Sequence, residues 1–158
     1  MIISSSIPIY RCDVAYFLES TVEELNEFYK KNRHNMDKDD YDTIKQDIDS
    51  ENTVGGAVYT CGVNYIVYIR NTNKKGHIDH ELWHLTNNVL MDRGVEHTKC
   101  DEPYAYLNEY LHDEFRDILR QFKKALKDEK ARGASGDGSG ANTEGEKPEG
   151  RIHSKEAV

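Results

Sequence analysis

Two spacings organise the apolar positions of this chain. From Ile7 to Glu19, "IPIYRCDVAYFLE", β-branched and aromatic residues crowd together with broken alternation, which predicts one or two strands. Ser20 or Thr21 then has the chemistry of an N-cap, with Glu23 and Glu24 in the first turn. Val22, Leu25, Phe28 and Tyr29 follow at helical spacing, predicting a helix that ends near Asn32. The acidic stretch beyond it carries Ile44 and Ile48 one turn apart, enough for a short helix around Tyr41 to Ile48. Between Thr53 and Thr72, two runs rich in Val, Tyr and Ile flank Cys61-Gly62 and predict a hairpin. Gly55-Gly56 in the first run marks a bulge or a close backbone approach. Ile78, Leu82, Leu85 and Val89 then share one helical face, and Gly94 supplies the C′ stop. A last helix opens at Asp101 with Pro103 in its first turn. Tyr104, Leu107, Leu111, Phe115, Ile118 and Phe122 run down one side of it. This order of strand, helix, hairpin, helix, helix predicts an α+β domain, its helices packed on a small antiparallel sheet.

Composition limits where that domain ends. From Lys127 onward the only large aliphatic residues are Ile152 and Val158, and there is no aromatic. Such a segment buries too little apolar surface to offset its ordering entropy, so residues 1–126 are expected to fold and 127–158 to form a disordered polar tail. The formal net charge is −8 over 158 residues. No basic stripe interrupts the acid, which argues against a nucleic-acid partner. No apolar run approaches membrane-spanning length, and "MIISSSIPIY" lacks the basic and apolar regions of a signal peptide. Three widely spaced cysteines without a C-x-x-C suit free thiols in a cytoplasmic protein.

The chemistry is concentrated in "HIDHELWHLTNNVLMDRG". His80, Glu81 and His84 spell H-E-x-x-H, a string that a shuffled chain of this composition would contain only about 0.03 times. On a helix the two histidines stand one turn apart on one face, so both imidazoles can reach one ion. Zn²⁺ accepts neutral imidazole nitrogen, and two histidines plus a carboxylate leave a fourth position for water. Glu81 is too close along the chain to complete that set comfortably, but it is placed to take a proton from water that the metal has acidified.

The third ligand decides the subclass. A histidine-ligated metzincin needs Gly and His where this chain has Asn87 and Leu90. A carboxylate from the next helix is the alternative, and Glu102, eighteen residues past His84, fits, with Asp101 and Glu109 as competitors. Tyr104, Tyr106 and His97 are candidates to steady an oxyanion, Tyr106 being preferred for its place on the Glu102 stripe. A non-catalytic reading competes. His97 and Cys100 could join His80 and His84 in a closed structural zinc site, making the protein a scaffold or partner-binding module.

"HELWH…DEPYAYLNEYL" resembles the gluzincin type of zincin metallopeptidase. More narrowly, it resembles small zincins of bacterial genomes and their phages, and the peptidase domain of the ImmA/IrrE regulators. The resemblance covers about Thr53 to Leu119. It implies a zincin-like fold and zinc-dependent hydrolysis of a peptide or protein substrate. It also implies that His80, His84 and Glu102 are metal ligands and that Glu81 is the catalytic base. An edge strand within Val54 to Arg70 would pair with an extended substrate. No sensing domain like that of ImmA/IrrE is evident, so repressor cleavage is not implied.

Overall fold

The computed structural model describes residues 1–50 and 55–134. Their elements, in chain order, are strands β1 (Ile2–Ile7) and β2 (Cys12–Leu18), helices α1 (Val22–Asn32) and α2 (Lys38–Asp49), strands β3 (Gly56–Cys61) and β4 (Asn64–Ile69), and helices α3 (Lys75–Met91) and α4 (Glu102–Ala134). A single 3₁₀ turn, Pro8–Tyr10, joins the first two strands.

The four strands form one sheet in the order β1-β2-β4-β3. Both hairpins are antiparallel, but the central pair β2 and β4 runs parallel. The sheet is therefore mixed, which corrects the expectation of an antiparallel one. A parallel neighbour requires a long crossover, and α1, α2 and β3 all intervene between β2 and β4. Of the one or two strands expected between Ile7 and Glu19, that segment holds one, β2, after a turn, and its partner β1 lies mostly earlier, in the serine-rich "IISSSI".

Helices cover both faces of the sheet. Val14, Tyr16 and Leu18 of β2, with Tyr65, Val67 and Ile69 of β4, point into a core shared with α3 and α4. Ala15, Phe17, Ile66 and Tyr68 point the other way, into a smaller core shared with Leu25 of α1 and Ile44 of α2. Burial on both faces explains the broken alternation of the sequence, since central strands so covered have no polar side. Each fully buried Leu, Ile or Phe contributes ~1.5–3 kcal/mol of transfer free energy, so these central positions dominate stability.

Local signals set the helix ends. Thr21 and Glu24 form a reciprocal capping box at the start of α1, and the Asp37 side chain accepts from the Asp40 N–H at the start of α2. Helix α2 is longer at both ends than the expected Tyr41–Ile48. At the end of α3, Gly94 has φ +75°, its N–H bonds to the Met91 carbonyl, and the Val95 N–H bonds to that of Leu90. That pair of bonds is a Schellman motif with glycine at C′, as the sequence predicts. Gly62, φ +64°, turns the β3–β4 hairpin.

The core stripe of α4 is the expected one: Tyr104, Leu107, Leu111, Phe115, Ile118 and Phe122 are all buried. The helix runs on past the expected boundary at 126 to Ala134. Residues 135–158, most of the expected tail, lie outside the described residues, as do Thr53 and Val54 at the start of the expected hairpin segment. Among the described residues no helix is long and apolar enough to cross a membrane.

Candidate metal and catalytic centre

Helix α3 is held by its apolar face. Leu82, Leu85 and Val89 are fully buried against the sheet, and that anchoring fixes the rotation of every other side chain on the helix. His80 and His84 consequently emerge at the surface, their rings 4.5 Å apart and at right angles. Their Nε2 atoms stand 3.0 Å apart. Two neutral imidazoles can approach this closely if one donates to the other, or if both lone pairs accept one cation. Two nitrogens bound to zinc at ~2.0–2.1 Å in a tetrahedron would be about 3.3 Å apart. The pair therefore fits a zinc ion with little adjustment.

Glu81 faces inward instead. It is 3% exposed and packs on the first residue of the outer strand β3. A Cβ on Gly56 would lie 2.7 Å from Glu81 Cγ and 2.7 Å from the Tyr68 carbonyl oxygen. The close approach expected of Gly55-Gly56 is thus the seat of the carboxylate. Burial pushes the Glu81 carboxyl above its ordinary range, while His80, His84 and His77 pull it back down.

His77 is a residue that the sequence reading did not single out. It lies three positions before His80, extending the string to H-x-x-H-E-x-x-H, and that spacing was its available signal. Its ring packs so tightly on Gly55 that a side chain there would run into it, and its buried Nδ1 has no hydrogen-bond partner among the described residues.

The other expected residues are distributed around α4. Glu102 lines a groove with Trp83, His97, Asp101, Tyr104 and Ala105. Tyr106 is 69% exposed and lines a different, apolar groove with Ile7, Pro8, Ile9, Tyr10, Leu107 and Tyr110. His97 packs edge-to-face on both Trp83 and Tyr104, and Cys100 is exposed. Among the described residues no third His, Cys, Asp or Glu joins the histidine pair in a grouping that could hold a metal ion. The structure thus brings together His80 and His84, with Glu81 beside them, and leaves Glu102, Asp101, His97, Cys100 and Tyr106 elsewhere.

The α3–α4 contact accounts for this distribution. The two helices pack antiparallel, with Asp79 near His112, and Thr86 Oγ1 stands 3.3 Å from Asn108. Helix α4 therefore lies along the Asp79–Thr86 side of α3, whereas Glu81 is turned toward β3. No family model matches the chain, and no curated protein and no solved structure matches it.

Proposed function

We propose that this protein is a zinc-dependent peptidase with a zincin-like active-site helix. The observation that carries the reading is the pairing of two convergent imidazoles, Nε2 to Nε2 at 3.0 Å, with a buried carboxylate from the same helical turn. His80 and His84 would hold the ion. A zinc ion there supplies Lewis acidity that makes water a nucleophile near neutral pH.

The rest of the work falls to the chain itself. Glu81 accepts a proton from the attacking water and returns it to the departing amine nitrogen, so no proton is gained or lost over the cycle. Its packing under Gly56 limits its freedom, and its elevated proton affinity suits it to accept a proton. Strand β3 is an outer strand of the sheet and touches Glu81 through Gly56. An extended peptide pairing with it would run past the carboxylate, which is the β-addition mode of peptide recognition. Glu102, the sequence's candidate for third ligand, does not join the pair in a metal-holding group among the described residues, which makes zinc stoichiometry the direct test. Purified chain should carry about one zinc, and a His80→Ala, His84→Ala variant none. Full retention of metal by that variant would defeat the reading.

A further inference from the structure

The groove at the start of α4 has a composition of its own. Trp83 and His97 stand at 85° to each other with centroids 5.6 Å apart, and His97 and Tyr104 at 86° and 4.6 Å. Rings at right angles make an aromatic corner that presents π-faces in two directions. Tyr104 forms its buried floor, held by its hydroxyl donating to the Val95 carbonyl at 2.8 Å. Trp83 stays 41% exposed, a large apolar side chain left facing solvent. Ala105, a small residue, keeps the mouth open, and the cavity is about 360 Å³.

Its charge is of one sign. Asp101 and Glu102 line the same cavity, and no lysine or arginine does. Neither carboxylate forms a salt bridge among the described residues. Both carboxylates stand at the start of α4, on the rim of the same cavity. A tryptophan face beside unpaired carboxylates attracts a cation by its quadrupole and by charge together.

We propose that this groove binds the cationic side chain of an arginine or lysine in a peptide. The ring corner receives the flat guanidinium or the ammonium, Asp101 and Glu102 neutralise it, and the cavity's size suits one long side chain. Trp83 immediately precedes His84, so the same helical turn carries the groove wall and a proposed zinc ligand. As an assignment of substrate preference for a basic residue, the inference rests on the peptidase reading. As an assignment of binding it does not.

Trp83 is the single tryptophan of the chain, so its fluorescence reports this site alone. The intact protein is titrated with acetyl-Gly-Gly-Arg-Gly-Gly-amide and with the same peptide bearing citrulline, which keeps the shape and loses the charge. The arginine peptide should shift Trp83 emission saturably and bind at least about tenfold more tightly than the citrulline peptide. An Asp101→Asn, Glu102→Gln double variant should lose that preference and keep its zinc, and Glu81→Gln should leave binding unchanged. Equal binding of the two peptides, or a silent Trp83, overturns the proposal. So does loss of zinc in the double variant, which would make the carboxylates ligands. Charge-selective binding without cleavage of any peptide would uphold the groove and remove the peptidase reading. Cleavage indifferent to basic residues, with Trp83 silent, would remove the groove alone.

Discussion

Gly56 and Glu81 touch with no room between them. A methyl group on Gly56 would press at 2.7 Å on both the Glu81 side chain and the backbone of β4. Because the carbonyl of Tyr68 belongs to a paired central strand, it cannot yield, and Glu81 would have to move. Gly56→Ala is therefore expected to cost about 1–3 kcal/mol in unfolding free energy, the usual range for overpacking. It should also reduce peptide cleavage beyond what the stability loss explains. Denaturant melts alongside activity measurements separate the two effects. An unchanged midpoint would show that the contact is not tight.

The three cysteines should differ sharply toward a thiol reagent. Cys100 is exposed, whereas Cys12 and Cys61 are buried. Burial, with Asp40 and Asp37 adding to it, pushes the Cys61 thiol up to about 12, and burial raises Cys12 as well. Only the thiolate reacts, so near pH 8 the folded protein should take up one equivalent quickly. Denaturant should release the other two. Mass mapping that found Cys61 labelled in the native state would contradict the packing of β3 against its neighbours.

These outcomes depend unevenly on what the sequence discloses. The Thr21–Glu24 capping box, the Gly94 stop and the apolar stripe from Tyr104 to Phe122 are local patterns, and each is where its spacing put it. The direction of β4 against β2 is not local. It follows from the helices between them, and alternation carries no sign of it once both faces are buried. The serines of β1 concealed a strand that pairs with β2 along its length and seats Ile7 in the core. At the site, the His80–His84 relation is a property of one helix and was legible. The direction in which Glu102 and Tyr106 look depends on how α4 rolls against α3, which spacing along the chain does not encode.

The polar segment after Ala134 should be dispensable for folding. Helix α4 extends to Ala134, and Leu126 is its last residue to pack against the core. A chain ended after Ala134 removes a segment whose only large aliphatic residues are Ile152 and Val158, and it should melt within about 0.5 kcal/mol of the full chain. Ending it before Phe122, a buried residue, should lower stability by several times that amount. Equal loss from both truncations would move the domain boundary into the tail.

Glu81→Gln tests the central claim most directly. The amide keeps the size of the side chain and leaves His80 and His84 untouched, so zinc content and folding should be nearly unchanged. A neutral amide cannot accept the proton, and removal of a positioned base commonly costs a factor of ~10²–10⁴ in rate. With a broad peptide library, the wild-type zinc form should cleave. The Glu81→Gln form and the chelated wild type should not. Equal cleavage by wild type and Glu81→Gln at equal zinc content would contradict the account.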